Sequence, residues 1–537
     1  MLVFRDGRRT ATGPQLLNGL TQILQRLSRT PTFNENLTID ALLCAGELEC
    51  ALADAQSTAA APVTKVTDAL AAALVRAEPP HAFPLHAISG RTVPEKLIVS
   101  RPEGFCYYAL HPLDFADVVR ELPERCQVAV IGIRSIGSTL GAIVAAAAQN
   151  RGSAAERITV RPSGHPWDRR LEFTPHERTW ICKHNERQAE FWVIDEGPGL
   201  SGSSFLAVAE ALVAVGVPRD RITLLGSAPP DLSYLRAPNA AARWRNFQSH
   251  FTRPQRRIPA EAAMSICAGQ WRQVFLNGER WPAVWMQFER AKFLSADHKA
   301  LFKFEGFGPY GAEVRECSAR IAESGFGPQI GEYEIGYARY ALVKDSILCA
   351  ADVSGQVLEQ IAAYCAWRAQ MFPAETGAAD EIEQMVRVNV SEALDMDVEF
   401  FTPRIERPVI VDGRMHPHEW RLTPAGRLLK FDGASHGDDH FLPGPTDIAW
   451  DLAGTIIEWD LNGAATKHFL ETYRKASGDD PGNRLSPFLT AYALFRLGYS
   501  SMATESLRGT GEEKRFECEI QRYRTTSFRS MAHLQYA

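Results

Sequence analysis

The hydrophobic pattern divides the first 230 residues into a helical part and a part where short strands alternate with helices. Leu37–Ala55 has apolar residues at helical spacing, and the Ala-rich run Val66–Ala77 follows, so residues 1–90 are predicted to be a helical extension. In residues 91–230 the predicted strands are Gln127–Ile133, Arg157–Arg161, Phe191–Ile194 and Arg221–Gly226, and the predicted helices are Ser138–Gln149 and Ser203–Val215. This alternation predicts a parallel sheet with helical crossovers.

The pattern changes again after residue 230. Residues 231–280 are rich in proline and arginine and predict a linker or an irregular layer, and a second domain is expected over residues 281–537. Its predicted elements are strands at Val284–Phe288 and Ala300–Phe304, helices at Gly311–Ser324 and Gly355–Met371, a strand–loop–strand near Val409–Phe431, and further helices after it. The sequence therefore predicts an α/β protein with two domains that carry chemistry.

Composition and charge narrow the class of protein. The chain has 537 residues, is 45% hydrophobic and 23% charged, and has a net charge of -6, so nucleic acid is not an expected partner. The basic segment Arg243–Arg257 is interpreted as a solvated loop or an interdomain face, with contact to an anion or to nucleic acid as the alternative. The most apolar run, Ala142–Ala148, is far shorter than a membrane span. With ten scattered cysteines and no CxxC pair, we expect a cytoplasmic protein with no membrane partner.

The segment Phe191–Leu206 has the parts of a sugar-phosphate site. Asp195 and Glu196 close a predicted strand, and two adjacent carboxylates can accept hydrogen bonds from neighbouring ribose hydroxyls. The following loop opens a helix, where glycines allow close approach and free N–H groups suit a phosphate. The loop residues expected to hold the ribose phosphate are Gly199, Leu200, Ser201, Gly202, Ser203 and Ser204. The alternative is a Gly-rich strand-to-helix turn without a ligand.

This segment resembles the PRPP-binding motif of type I phosphoribosyltransferases, and the resemblance extends over residues 90–228. It implies a parallel-sheet domain of that type, with Asp195 and Glu196 as catalytic residues, PRPP as substrate and Mg²⁺ as cofactor. It also implies a pyrophosphate-binding set upstream: Arg134, Ser135, Gly137, Arg161, His165 and Arg169. The sequence departs from the motif in having Glu196 where Asp is common, and in Pro198, which stiffens the loop.

The C-terminal half resembles the aminoglycoside phosphotransferase and choline kinase group. Lys303 lies in a predicted strand and Glu316 in the helix after it, which is how kinase-like folds hold nucleotide phosphates. Asp432 ends an apolar strand at the place of the family's metal-binding Asp, and Asp451-Leu452-Ala453 matches the helix after it, whose Asp is more often structural. The resemblance implies an α+β protein-kinase-like domain that binds ATP.

The resemblance fails at the catalytic loop. Counting back from Asp432, Arg414 occupies the position of the catalytic Asp and Glu419 that of the metal-binding Asn. An arginine cannot accept a proton. Glu419 and Asp432 remain candidate metal ligands, and His416 or His418 remains a candidate base, although a structural role is favoured for both histidines.

Three interpretations follow. The first is a bifunctional enzyme in which a phosphoribosyltransferase domain is fused to a kinase-like domain that acts on small molecules. The second is a nucleotide sensor with vestigial catalysis. The third is a small-molecule kinase whose N-terminal domain recognises a ribosyl-phosphate substrate. In each case the expected binding partners are small-molecule substrates. A homodimer is the oligomeric state that the sequence allows us to suggest. The upstream motif is less degraded, which favours the first interpretation.

Overall fold

A computed structural model describes residues 8–79, 92–253, 257–276, 281–342, 346–396, 403–436, 439–442 and 444–534. The chain forms two compact units. The first unit contains Gly7–Ile258 and Gly306–Ala312, and the second contains Pro259–Glu305 and Glu313–Ala537. The units divide the chain differently from the predicted boundaries. The helices of residues 1–90 belong to the same unit as the parallel sheet, and the predicted linker 231–280 is split between both units.

The first unit contains nine helices and nine strands among its described residues. In chain order they are β1 (Arg8–Thr12), α1 (Gly13–Ser28), α2 (Glu35–Asp54), α3 (Ala60–Arg76), β2 (Lys96–Ser100), α4 (Glu103–Cys106), α5 (Pro112–Glu121), β3 (Gln127–Ile133), α6 (Gly137–Asn150), β4 (Ala154–Val160), β5 (Ser163–His165), β6 (Asp168–Arg170), α7 (Pro175–Glu186), β7 (Glu190–Ile194), α8 (Ser203–Ala214), β8 (Ile222–Gly226), α9 (Ala240–Trp244) and β9 (Gln248–Phe251), with a short 3-10 helix at Arg219–Arg221.

The predicted parallel sheet is confirmed. Its five strands run in the order β4-β3-β7-β8-β9, and every neighbouring pair is parallel. The central strands β3 and β7 are almost continuously apolar and buried, as expected for strands that are covered on both faces. The carboxyl ends of β3, β4 and β7 therefore open on one edge, where Arg134, Arg161 and Asp195 follow them.

Two smaller antiparallel pairs complete the first unit. Strands β1 and β2 pair along their whole length, and β5 and β6 form a hairpin between Ser163 and Arg170. The hairpin lies in the segment that follows β4, so it is close in sequence to the edge where the predicted site residues gather. Sequence periodicity did not indicate this hairpin, because each of its strands has only three residues.

The second unit combines a five-stranded antiparallel sheet with a largely helical part. In chain order its elements are β10 (Ala262–Ser265), α10 (Trp271–Phe275), β11 (Lys292–Ser295), β12 (Ala300–Phe304), α11 (Gly308–Glu323), β13 (Ile330–Glu334), β14 (Tyr337–Ala341), β15 (Ser346–Ile347), α12 (Gly355–Met371), α13 (Ala379–Leu394), β16 (Pro408–Val409), β17 (Trp420–Leu422), β18 (Leu428–Lys430), β19 (Thr446–Asp447), α14 (Ala449–Glu458), α15 (Gly463–Ser477), α16 (Gly482–Ser506) and α17 (Gly511–Leu534), with 3-10 helices at Met286–Phe288, Ala350–Asp352, Pro417–Glu419 and Asp439–Phe441.

The antiparallel sheet has the strand order β10-β11-β12-β14-β13. Lys303 therefore lies on the third strand, and α11 follows that strand along the chain. The helix begins in the segment that groups with the first unit and continues into the second. The predicted strand Val284–Phe288 is wrong, because Met286–Phe288 forms a 3-10 helix. The aromatic Trp285 packs there against Phe288, and side-chain packing of this kind does not require an extended backbone.

Each unit has its own buried core. In the first unit apolar residues of β3, β7, β8 and α8 form one cluster, and in the second unit α12, α13, α14 and α16 supply most of another. All ten cysteines are free thiols. Among the described residues, none of the helices combines the length and the apolar character that crossing a membrane requires.

Candidate functional site

The two predicted catalytic carboxyls lie together directly after β7. Asp195 accepts a hydrogen bond at Oδ1 from the backbone N–H of Glu196, at 2.8 Å. The Glu196 carboxylate reaches in the other direction, where Oε2 accepts from the backbone N–H of Gly104 at 2.8 Å. A Cβ at position 104 would lie only 3.0 Å from the Glu196 carboxyl carbon, so any larger residue there would force a neighbouring side chain to shift. Sequence analysis did not identify Gly104 as part of the site.

Burial makes both carboxyls reluctant to ionise. Burial raises the pKa of Asp195 to about 7. Burial and the neighbouring charges of Glu103 and Asp195 raise the pKa of Glu196 well above its usual range. A ligand that donates hydrogen bonds to these carboxylates, or a bound cation, favours their ionised form.

The predicted phosphate loop leads into α8, as expected. Gly199 and Gly202 have φ angles of +56° and +69°, in the left-handed region that favours glycine. The backbone N–H of Gly202 donates to Pro198 O at 2.7 Å, which closes the turn before α8 begins at Ser203. The N–H groups at the start of the helix, which suit an anion, therefore lie at the end of this loop, although that of Ser203 already donates to Ser201 Oγ at 3.2 Å.

Two loop serines already have an acceptor. The hydroxyls of Ser201 and Ser203 donate to the carbonyl oxygen of Pro166, at 3.0 and 2.6 Å. Pro166 is at the turn of the β5–β6 hairpin, so the hairpin lies over the phosphate loop. The other two loop residues, Leu200 and Ser204, are exposed and half-buried respectively. A phosphate that takes the serine hydroxyls must displace the Pro166 carbonyl.

The predicted pyrophosphate residues divide into two groups. Arg134 and Arg161 both reach Asp54 at the end of α2, with nitrogen–oxygen distances of 3.1 Å and 3.0 Å. His165 and Arg169 instead lie on the hairpin, where His165 Nδ1 accepts from the N–H of Trp167 at 3.2 Å and Arg169 donates to Pro162 O at 3.4 Å. Asp54 was not predicted, because α2 showed no chemical motif.

The loop after β3 is shaped by a close backbone contact. A Cβ on Gly137 would lie 2.8 Å from the carbonyl carbon of Gly132, so glycine is needed where α6 begins. Within this loop the carbonyl of Ser135 accepts from the N–H of Ser138 at 3.2 Å. Ser135 and Gly137 are thus placed at the N-terminus of α6, as predicted, and a pyrophosphate role for them stays a prediction.

The basic segment Arg243–Arg257 is largely neutralised by acidic side chains. Arg243 pairs with Glu210 at 2.7 Å, and Arg253 with Glu121 at 2.8 Å. Arg257 pairs with two aspartates of α5, including Asp117 at 2.9 Å. Residues 254–256 of this segment lie outside the described part of the chain. Three arginines of the segment are thus paired with acidic side chains of the protein.

In the second unit, Lys303 is buried and does not pair with the predicted glutamate. Its Nζ lies 3.1 Å from Asp432 Oδ1 and 3.3 Å from Glu305 Oε1, and it donates to the backbone O of Ser435 at 2.7 Å. Glu316 is 67% exposed and pairs with Arg320 one helical turn away, at 2.5 Å. The structure therefore replaces Glu316 by Glu305 as the glutamate partner of Lys303.

Asp432, predicted as a metal ligand, is held by two lysines. Besides Lys303, Lys292 on β11 lies 2.8 Å from its Oδ2. Burial on its own would raise the pKa of Asp432, but the two lysines hold that pKa well below its usual range. The residue has a φ of +59°, which turns the chain sharply after β18. Its carboxylate is thus ionised and already neutralised by side chains of the protein.

Glu419, the other predicted metal ligand, belongs to a different cluster. One ligand atom from each of Asp412, Glu419 and His436 lies within 4.8 Å of the others. Lys430 enters this cluster with its Nζ 2.8 Å from Glu419 Oε2 and 3.3 Å from Asp412 Oδ1. Burial alone would raise the pKa of Glu419, but Lys430 lowers it. Carboxylates suit Mg²⁺, yet here an ammonium group contacts two of the three candidate ligands, so the residues present do not fit a metal ion without displacement of Lys430.

The loop from Asp412 to Glu419 is fixed by a buried aspartate. Asp451 of α14 accepts from the N–H groups of Asp412 and Gly413, both at 2.9 Å. Arg414 follows within this loop, so a carboxylate base is missing at that position. His416 does not replace it freely, because its Nδ1 lies 3.2 Å from the buried Glu458.

His418 has no basic character at neutral pH. Burial and the neighbouring His416 lower the pKa of His418 to about 3. Its ring stacks on Trp271 and on His416, with centroid distances of 5.6 and 5.1 Å. This packing agrees with the structural role favoured for it from the sequence.

Comparisons with known proteins identify no family. No family model matches the sequence, and no curated protein matches it. Solved structures with some similarity include choline kinase LicA from Streptococcus pneumoniae, with 14% identity over 44% of this chain and 90% of that one, at a TM-score of 0.32. A choline/ethanolamine kinase family protein from Mesorhizobium loti has 11% identity over 49% of this chain and 94% of that one, at 0.35.

A third solved structure is the GDP complex of wild-type aminoglycoside 2'-phosphotransferase-IIIa, with 14% identity over 48% of this chain, 96% of that chain and a TM-score of 0.32. All three of these structures are kinases or phosphotransferases by name, and none is a phosphoribosyltransferase. At these low identities and TM-scores, we base the function of each site on the side chains and contacts described above.

Proposed function

We propose that the first unit binds a ribosyl 5-phosphate ligand and acts as a transferase on it. The observation that carries this proposal is the arrangement around one loop. Asp195 and Glu196 stand at its start, at the carboxyl end of a central parallel strand, and the N-terminus of α8 stands at its end. The ribose 2′ and 3′ hydroxyls would donate to the carboxylates, and the 5′-phosphate would accept from the N–H groups of α8.

The chemistry proposed for this site is phosphoribosyl transfer from PRPP. A nitrogen nucleophile forms a bond to ribose C1, the C1–O bond to pyrophosphate breaks, and pyrophosphate leaves with the electron pair. Arg134 and Arg161, which follow two parallel strands at the same edge, supply positive charge for the leaving group. Mg²⁺ would neutralise the pyrophosphate when bound, and Asp195 and Glu196 offer the oxygen ligands that it prefers.

Calorimetry tests binding and pyrophosphate release tests the reaction. The full chain should bind PRPP and ribose 5-phosphate, and the Asp195→Asn/Glu196→Gln double variant should lose this binding. Asp220→Asn is the matched control, because Asp220 is an exposed carboxylate of the same unit. Incubation with PRPP, Mg²⁺ and a panel of nitrogen acceptors should release pyrophosphate. Absence of both binding and release in the wild-type chain would refute the proposal.

The second candidate function is a small-molecule kinase that takes the ribosyl phosphate as acceptor rather than donor. It is supported by Lys303, which lies on the third strand of the antiparallel sheet and pairs with Asp432. In kinase-like folds a lysine in this place holds the nucleotide phosphates, and an aspartate in this place holds their Mg²⁺. Arg414 opposes it, because it occupies the position of the catalytic Asp, and the two carboxylates of the loop, Asp412 and Glu419, are paired with Lys430. We therefore expect the second unit to bind ATP more readily than to transfer its phosphate.

A measurement of ATP binding to the full chain tests whether the second unit binds a nucleotide. Lys303→Met should weaken ATP binding, whereas Lys299→Met, which changes an exposed lysine close by, should leave it unchanged. The two candidate functions give different products from the same mixture: the first releases pyrophosphate from PRPP without ATP, and the second forms ADP from ATP. If ATP does not bind, the second candidate fails while the first stands.

A further inference from the structure

Lys430 is the most deeply enclosed cation in the cluster around Glu419. Its side chain has 0% exposure, and Nζ contacts three oxygens: Glu419 Oε2 at 2.8 Å, the backbone O of Phe431 at 3.0 Å and Asp412 Oδ1 at 3.3 Å. It is the last residue of β18, two residues before Asp432. Two of these contacts are hydrogen bonds, to Glu419 and to Phe431 O, and the contact with Asp412 is an ion pair.

The charges of the cluster balance without any added ion. Asp412 and Glu419 contribute two negative charges, and Lys430 and Arg368 contribute two positive ones, with the guanidinium 3.9 Å from the Asp412 carboxylate. Tyr364 donates a further hydrogen bond to Asp412, at 2.5 Å. A divalent ion in this place would leave two uncompensated positive charges in a buried site, which costs far more than an exposed pair.

Asp432 is also paired with cations of the protein. Its two carboxylate oxygens face Lys303 and Lys292 at 3.1 and 2.8 Å. Each carboxylate that the kinase resemblance assigned to a metal is thus paired with a lysine from a neighbouring strand. The lysines are fixed by the sheet, whereas a metal ion has to be acquired from solution.

We propose that Lys430 is a built-in cation that takes the place of a divalent metal ion between Asp412 and Glu419, so that this cluster holds no Mg²⁺. The ammonium group supplies the positive charge and the hydrogen-bond donors that order the two carboxylates. This proposal concerns only the metal ion, and it does not depend on whether the second unit binds a nucleotide. On the second candidate function, nucleotide binding would be as strong in EDTA as in Mg²⁺.

Mn²⁺ binding, followed by electron paramagnetic resonance, tests the proposal. The starting protein is the full chain with Asp195→Asn and Glu196→Gln, which removes the other pair of candidate metal ligands. It should bind no Mn²⁺ and should have the same thermal midpoint in EDTA and in excess Mg²⁺. Adding Lys430→Ala should create a site for one Mn²⁺ per chain, and Mg²⁺ should then raise the thermal midpoint. Lys299→Ala is the control, because Lys299 is 78% exposed and should gain no site.

Two results would overturn the proposal. One is Mn²⁺ binding by the starting protein that disappears with Glu419→Gln, which shows a metal beside Lys430. The other is a Lys430→Ala protein with an unchanged circular dichroism spectrum that binds no Mn²⁺. If Lys430→Ala does not fold, the Mn²⁺ titration of the starting protein with and without Glu419→Gln still decides. None of these measurements involves a nucleotide, so they distinguish this proposal from the proposed function.

Discussion

Asp195 and Asp432 are both aspartates at the carboxyl end of a strand, yet their surroundings drive their charge in opposite directions. Burial raises the pKa of Asp195 to about 7. At Asp432 two lysines outweigh the effect of burial and hold the pKa far below its usual range. A ligand that donates hydrogen bonds would therefore favour ionisation of the Asp195 carboxyl. The Asp432 carboxylate is ionised and paired with lysines without a ligand. This difference supports a ligand-binding role for the first residue.

The raised pKa of Asp195 predicts a pH-dependent stability. A carboxyl with a raised pKa binds its proton more tightly in the folded state, so its contribution to the free energy of unfolding falls as the pH rises from about 4 to about 7. Asp195→Asn does not titrate, so the variant should gain stability relative to wild type across this range. Urea unfolding at pH 4, 5, 6 and 7 measures the difference. A difference that is constant with pH, or that shrinks towards neutrality, would contradict the assigned shift.

Asp54 restrains the two arginines proposed for pyrophosphate. Because it takes contacts from both Arg134 and Arg161, Asp54→Asn should release positive charge towards the loop edge. We expect pyrophosphate to bind roughly 2- to 5-fold more tightly and the chain to lose about 1 kcal/mol of stability, as for a partly exposed ion pair. Calorimetric titration with pyrophosphate checks the first effect, with Asp220→Asn as the matched charge change. Weaker binding would show that Asp54 orders the arginines rather than competing for them.

At the scale of elements, the start of α6 is fixed by how closely it approaches β3. A Cβ on Gly132 would lie 2.0 Å from the carbonyl oxygen of Gly137, a distance that backbone atoms cannot accommodate. The strand and the helix can therefore cross only because both positions are glycine. The same contact positions the loop of Arg134 and Ser135, so packing and the candidate site depend on one another here.

Gly132→Ala should destabilise the first unit by about 3 kcal/mol or more, since the added carbon overpacks against backbone. The matched control is Gly19→Ala in α1, where nothing lies within 4 Å of the added carbon. That change should stabilise the chain by up to about 1 kcal/mol, because alanine favours helix. Chemical denaturation of both variants measures the change in the free energy of unfolding, which should be negative for Gly132→Ala and positive for Gly19→Ala. Equal effects would show that the close contact is not as tight as described.

Continuous apolar runs in the sequence predicted the helices and strands well. The sequence pattern failed for side-chain contacts between residues that are far apart along the chain. Residues Gly355–Met371 form the predicted helix, and the parallel strands formed as predicted, because their apolar residues are buried wherever the sheet packs. Glu316 was predicted as the partner of Lys303 from helical position, but Glu305 on the lysine's own strand end is closer. Asp54 and Gly104 carry no local motif at all. Their roles depend on contacts with residues that lie 80 to 107 positions away along the chain, which a local sequence pattern does not encode.

At the scale of the whole molecule, each unit has its own apolar core and its own candidate site. The proposed functions use different ligands, a ribosyl phosphate for the first unit and a nucleotide for the second. A ligand that binds only the folded state stabilises the unit that holds it. The ligands can therefore be assigned to units by their effects on unfolding.

Scanning calorimetry should show two unfolding transitions. Ribose 5-phosphate should raise the midpoint of one, and Gly132→Ala should lower the midpoint of that same transition. Lys430→Ala should lower the other, because it leaves Asp412 and Glu419 buried with less compensating charge. If a single transition responds to all three changes, the units unfold together, and the assignment of ligands to units would need binding variants instead.

The segment Gly306–Ala312 gives the chain an unusual order of assembly. It follows β12 of the second unit along the chain but belongs to the first unit. There the backbone N–H of Phe307 donates to Phe105 O at 3.0 Å. The Phe307 ring packs edge-on against the His111 ring, with a centroid distance of 5.4 Å. During synthesis on the ribosome, the first unit therefore lacks a buried piece of itself until residue 312 has emerged. By then three strands of the second unit have already been made. A chain shortened to residue 258 would expose the surface that Phe307 covers, so any attempt to express the first unit alone has to supply this heptapeptide from a second fragment.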